Sequence, residues 1–197
     1  MIILILASTF SLTAQEKGKE SRWEELPLRN WFMEWLFGEN NIGESQNYVS
    51  EDLTRKINLS QSWKFSIGDN VNWASPSYSD KNWEKIRVPA RWENEGFNGY
   101  DGYAWYRVHF DGRELIRQDA HILLPGFIDD VDETYLNGTL IGKSGTFPPR
   151  FRTAYDSDRS YFIPNELINF SGDNVIAIRV YDETMDGGII GGNPGIY

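Results

Sequence analysis

An all-β antiparallel sandwich is predicted for most of this 197-residue chain, and three observations carry the prediction. From Ile57 onward, short runs rich in Val, Ile, Tyr, Trp and Phe alternate with clusters of Gly, Asp, Asn, Ser and Pro, at the spacing of strands joined by turns. Between two such runs sits Asn137-Gly138, a dipeptide that readily takes positive φ at both central positions of a type I′ turn, so a hairpin is expected there. Val175, Ile176, Ala177, Ile178 and Val180 form a nearly continuous apolar run, the pattern of a strand covered on both faces.

Taken in order, residues 2–13 are apolar and end in Thr13-Ala14-Gln15, which suits the hydrophobic region of an export signal better than a membrane span. Residues 1–14 are therefore expected to be a signal peptide and the protein to be secreted or periplasmic. No Lys or Arg precedes the run and Leu12 is bulky for the position two before the cut, so a buried N-terminal strand is the competing reading. Residues 16–22 are charged and expected to stay unstructured. Trp23, Leu26, Leu28, Trp31, Phe32, Trp35, Leu36 and Phe37 then recur near helical spacing before Gly38, which predicts a short helix within a 15–56 linker and N-terminal extension. The domain proper is set at 57–197. Strands are predicted over 63–66, 85–88, 103–110, 119–124, 133–136, 139–143, 159–163 and 174–181. Ala104, Tyr106, Val108 and Phe110 alternate with Trp105, Arg107 and His109, so one face of that strand turns to a core. The connections 66–83, 89–103, 145–158 and 182–195 are long and rich in Gly, Asp or aromatics, and a sandwich displays its binding groups on such loops.

Composition removes several functions. With 19 basic against 29 acidic side chains, the formal charge of -10 repels phosphate backbones and anionic headgroups, so nucleic acid is not an expected partner. The absence of cysteine excludes disulfides, a thiolate nucleophile and zinc-finger ligand sets. No internal repeat is visible, which argues against a propeller or solenoid.

The segments Trp63-Lys-Phe-Ser-Ile-Gly-Asp69, Tyr78-Ser-Asp-Lys-Asn-Trp83, Val88-Pro-Ala-Arg-Trp92 and Asp101-Gly-Tyr-Ala-Trp-Tyr-Arg107 are followed by Ile128-Asp-Asp-Val-Asp-Glu133, Asn137-Gly138, Arg159-Ser-Tyr-Phe-Ile-Pro164 and Gly172 to Asp182. In this order and spacing they resemble the sugar-binding jelly-roll domain of family 2 glycoside hydrolases, and are similar to the jelly-roll insert of sialate O-acetylesterases. The resemblance implies a galactose-binding-domain-like jelly roll and a non-catalytic carbohydrate-binding or accessory role. Its implied partners are a carbohydrate and a catalytic glycoside hydrolase domain or subunit. The family's catalytic glutamates lie in a barrel outside the resemblance, and the Gly-Asp-Ser block of the acetylesterases is absent here, so the chain is not expected to be an enzyme by itself. Gly195-Ile-Tyr197 keeps the ending of the family loop that leans over the neighbouring active site. A chain stopping there is expected to be one module of a longer or split enzyme. A purely structural module packing on a catalytic barrel is the alternative.

For binding, the candidates are Trp92, Tyr100, Asp101, Trp105, Arg107, Asp182 and Asp186. Aromatic planes beside glycines can stack on the apolar face of a sugar ring while carboxylates and a guanidinium hold its hydroxyls. Against this stands the ordinary fate of tryptophan, which is burial, and Trp63 and Trp83 are read that way. The acidic turn Asp129, Asp130, Asp132 and Glu133 has three open readings: oxygen ligands for Ca²⁺, an acid and nucleophile pair, or a solvated turn. Strand alternation keeps neighbouring side chains from all pointing at one ion. No cofactor, metal or catalytic residue is assigned. His109 and His121 fall within predicted strands, without the turn context that a hydrolase nucleophile requires.

Overall fold

The computed structural model describes residues 54–117 and 119–197. The expected signal peptide, the 23–38 helix and nearly all of the 15–56 extension lie outside the described residues. In chain order the strands are β1 (Ile57–Asn58), β2 (Ser62–Ile67), β3 (Glu84–Arg87), β4 (Gly102–Asp111), β5 (His121–Leu124) and β6 (Phe127–Asp129). They continue as β7 (Val131–Leu136), β8 (Thr139–Ser144), β9 (Tyr161–Ile163), β10 (Asp173–Asp182), β11 (Gly188–Gly191) and β12 (Gly195–Ile196). Six form one sheet in the order β3-β2-β4-β10-β7-β8, four form a second in the order β1-β12-β5-β9, and β11 pairs with β6. Every pairing is antiparallel.

All eight predicted strands are present. The four that the sequence does not announce, β1, β6, β11 and β12, span two to four residues each and exist through their partners: Ile57 pairs with Ile196, Gly195 with Leu124, and Gly188 with Asp129. The Asn137-Gly138 turn closes β7 on β8 with φ of 49° and 85°, and Asn137 Nδ2 donates to Leu167 O and Asn174 Oδ1, both at 2.8 Å. The turn type follows from the two positive φ values.

Period-2 alternation divides the larger sheet into two apolar faces. On the inner face, Ala104, Tyr106, Val108 and Phe110 of β4 join Ile176, Ile178 and Val180 of β10 in one buried cluster with Leu123, Ile163 and Ile196 of the four-stranded sheet. This is the sandwich core, and its burial supplies the main stabilisation of a chain without disulfides. Trp63 lies in it, its indole N–H donating to Leu59 O at 2.8 Å. On the outer face, Trp105 and Ala177 pack with Ala74, Trp73, Trp83 and Tyr135. Trp83 therefore braces the cover of the sheet. Arg107 is fully buried in that layer: its Nε donates to Asp80 at 2.9 Å, and its Nη1 donates to Trp73 O and, at 3.0 Å, to Ser75 O. One guanidinium thus holds the 73–80 segment against the sheet. β10 runs between β4 and β7 and is apolar on both faces from Val175 to Ile178, beyond which Arg179 emerges.

No helix among the described residues is long and apolar enough to cross a membrane.

Candidate functional site

Register brings three loops to one end of the sandwich. Asp182, the last residue of β10, pairs with Gly102, the first of β4, and Tyr181 pairs with Val131 at the start of β7. The 89–101 loop before β4, the β6–β7 junction and the 183–187 segment after β10 must therefore meet. The first and last are laced together by hydrogen bonds: Ala90 N–H donates to Ile189 O at 2.8 Å, Trp92 N–H to Gly187 O at 3.1 Å, and Gly187 N–H to the Glu93 carboxylate at 3.2 Å. Gly187 is required here, because a Cβ at that position would lie 2.1 Å from the Trp92 ring. Across the surface of the same rim, Arg91 pairs with Asp186 at 3.2 Å.

Beneath that pair, carboxylate oxygens of Asp129, Asp130 and Asp182 lie within 4.8 Å of one another. Asp182 is completely buried, and no donor among the described residues reaches either of its oxygens. Burial first, and then the charges of Asp129, Asp130, Asp101 and Glu93, push its carboxyl up to about 7. Asp129 is half-buried, and burial followed by the Asp130 charge pushes it up to about 6. Asp130 is held differently. One of its oxygens accepts from Thr153 Oγ1, the other accepts from Glu183 N at 3.1 Å, and its backbone carbonyl accepts from Arg159 Nη2 at 3.1 Å.

Of the seven binding candidates, the rim gathers Tyr100, Asp101, Asp182 and Asp186, with Trp92 beneath them. Trp92 has no exposed surface: its ring packs under Gly187 and against Tyr100, and its indole N–H donates to Tyr100 O at 3.1 Å. Trp105 and Arg107 are also fully buried, on the outer sheet face under the 73–83 cover. None of these three side chains offers a surface to a sugar; the physical reason is packing, which claims an aromatic plane or an alkyl stem whenever a neighbouring loop can cover it. Tyr100 is half-buried and its hydroxyl donates to Tyr103 O at 2.7 Å, while Asp101 is exposed.

The acidic turn is split by strand alternation. Asp132 turns inward, where it pairs with Arg159 at 3.0 Å with both side chains fully buried, and it accepts from Tyr161 and Thr134 hydroxyls at 2.8 and 3.1 Å. Glu133 turns to the other face, to Arg179 at 3.0 Å and the Tyr135 hydroxyl at 2.9 Å. Neither shares a site with Asp129 and Asp130; Asp182, far along the chain, takes that place.

An aromatic group beside the rim was not assigned from sequence. Tyr103 and Phe147 stack with centroids 5.7 Å apart and planes 7° from parallel, Tyr181 lies 4.8 Å from Tyr103, and Phe151 lies 5.5 Å from Tyr181. All four are half-buried. Arg179 stands over Tyr103 and Phe147 at 4.9 and 4.2 Å. The signal that could have found them is alternation on β10, which sets Tyr181 on the face of Arg179, together with the aromatic content of the 145–158 loop. At the opposite end of the sheet, a shallow depression is lined by His109, Phe110 and Asp173, and His109 Nδ1 lies 2.7 Å from Asp173. His121 is buried with Nε2 at 3.0 Å from Ile116 O.

A family model described as the beta-galactosidase second all-beta domain matches residues 68–186, more than half of the chain. Among solved structures, a Bacteroides uniformis β-glucuronidase is 22% identical and superposes with a TM-score of 0.57 over 71% of this chain and 17% of that one. A β-glycosidase from Bacteroides vulgatus is 24% identical, with a TM-score of 0.52 over 72% of this chain and 19% of that one. Bifidobacterium dentium β-glucuronidase complexed with coumarin-3-O-glucuronide is 17% identical, with a TM-score of 0.50 over 64% and 20%. At these identities the likeness is one of fold, and this chain spans a fifth or less of each of those proteins. Among curated proteins none matches.

Proposed function

Since the chain belongs to the beta-galactosidase second all-beta domain family, we propose that it is a non-catalytic, jelly-roll carbohydrate-binding or accessory module that works beside a glycoside hydrolase catalytic domain or subunit outside the cytoplasm. Its fold corresponds to an all-β module that forms a small part of larger carbohydrate-active enzymes, not to their catalytic barrel. The observation that carries the reading is the rim itself, where three loops from distant parts of the sequence converge. Exposed Asp101 and the Arg91–Asp186 pair offer acceptors and donors for hydroxyls, and the half-buried faces of Tyr103, Phe147 and Phe151 lie at the same end of the sheet for stacking.

The charge of the rim selects among sugars. Glu93, Asp101, Asp129 and Asp130 lie near Asp182, and Asp186 pairs with Arg91, so the rim is acidic and a neutral galacto- or gluco-oligosaccharide is favoured over a uronate, whose carboxylate would be repelled. Titration of the full chain with neutral and uronic-acid oligosaccharides tests this. Weak binding of the neutral set, abolished by Phe147→Ala, is expected. Binding of neither set at millimolar sugar, or a preference for uronates, would remove the recognition claim.

A second reading, a structural module seated on its catalytic neighbour, is favoured by one observation. Phe127 and Met185 flank the rim with 49% and 82% of their surfaces exposed, and Met185 holds φ at 80°. Large apolar side chains displayed beside a strained loop suit a contact face.

A further inference from the structure

We propose that Asp129, Asp130 and Asp182 form a calcium site that ties the end of β10 to the β6–β7 junction. The three carboxylates come from two strand ends more than fifty residues apart in sequence, yet their oxygens lie within 4.8 Å of one another. Ca²⁺ binds oxygens at about 2.3–2.6 Å, so oxygens on opposite sides of one ion are about 4.6–5.2 Å apart. The cluster fits inside that sphere without contraction. A Mg²⁺ sphere, about 4.0–4.2 Å across, is the tighter fit for such a set.

The independent pointer is Asp182. A fully buried carboxylate with both oxygens undonated is what a fold avoids unless a cation faces it, because burial of an unpaired charge costs several kcal/mol. The arginines nearby are engaged elsewhere. Arg159 is spent on Asp132, Ala154 O, Ser157 O and Asp130 O, and Arg91 is spent on Asp186. Thr153 and Glu183 N fix Asp130 in place, as the supporting bonds of a metal carboxylate do. Asp129 remains half-exposed, which gives the ion an entry path and leaves water to complete its coordination. A cation here would pin Glu183 to Gly187, the segment that covers Trp92, so the site would organise the rim whichever sugar the rim takes.

Calorimetric titration of the full-length chain, stripped with chelator and then given CaCl₂, tests the proposal. One saturable site per chain with a dissociation constant at or below ~1 mM is expected, the range of extracellular calcium modules. Asp182→Asn and Asp129→Asn should each weaken it at least tenfold, while Asp173→Asn at the opposite end should leave it unchanged. MgCl₂ should bind more weakly than CaCl₂. Thermal unfolding in chelator checks that each variant is folded. No saturable heat up to ~10 mM CaCl₂, or equal affinity in Asp129→Asn and Asp182→Asn as in the wild type, would overturn it.

Discussion

In chelator, the chain should lose stability as pH rises from 4 to 8, and Asp182→Asn should remove the part of that loss carried by Asp182, leaving the part carried by Asp129. Burial and the surrounding carboxylates push Asp182 up to about 7 from an ordinary 3.8. A carboxyl raised in the folded state binds its proton more tightly there than in the unfolded chain. Its contribution is therefore fully present below about pH 4 and is lost as pH climbs through about 7. At about 1.4 kcal/mol per pH unit the displacement amounts to on the order of 4 kcal/mol, and solvent around Asp101 and Asp129 reduces this to about 2–4 kcal/mol. Asparagine keeps the shape, removes the charge and can donate to Asp129 or Asp130. The variant should therefore gain about 2–4 kcal/mol over the wild type at pH 8 in chelator, and about nothing at pH 4. Urea unfolding at pH 4, 6 and 8, followed by tryptophan fluorescence, reads the difference directly. A variant less stable than the wild type at pH 8, or one with an unchanged pH slope, would refute the argument that Asp182 is a buried, unpaired charge.

Three further outcomes follow from the packing. Asp132→Ala leaves Arg159 as an uncompensated buried cation and should cost about 3–5 kcal/mol in urea unfolding; a loss under 1 kcal/mol would mean that water reaches the pair. Arg107→Ala releases Asp80 and the carbonyls of Trp73 and Ser75 and should cost about 3–5 kcal/mol. If instead sugar affinity fell with stability intact, Arg107 would be a binding residue after all. Gly187→Ala drives a methyl into the Trp92 ring and should cost about 1–3 kcal/mol, with a change in tryptophan fluorescence marking displacement of the 183–187 segment; an unchanged spectrum and stability would show that the rim can open freely.

The strands were legible because alternation is a local property. β4 alone declares its two faces, the run in β10 declares a strand covered twice, and Asn137-Gly138 declares the turn. The short strands β1, β6, β11 and β12 were not legible. A two-residue strand such as Gly195–Ile196 has no period to read and exists only because Ile57 and Leu124 flank it. Within the candidate site, Asp101, Asp182 and Asp186 could be nominated from composition and loop position, and the structure places all three at one rim. Trp92, Trp105 and Arg107 were nominated on the same grounds and are buried instead. Nothing in the residue types distinguishes an aromatic ring beside a glycine that faces solvent from one beneath another loop.

What the sequence determined by itself was the fold class, eight of the twelve described strands and the acidic character of the loops, since periodicity, turn chemistry and charge each act over a few residues. What only the tertiary structure decided was the company each carboxylate keeps. Asp132 and Asp130 are two residues apart, yet one is neutralised by Arg159 and the other faces Asp182, fifty-two positions further along the chain. Asp130 lies at the junction between β6 and β7 while Asp132 lies inside β7, and antiparallel register brings the end of β10 to the start of β7. Electrostatic energy depends on distances through space, and those distances are fixed only when the sheet has closed.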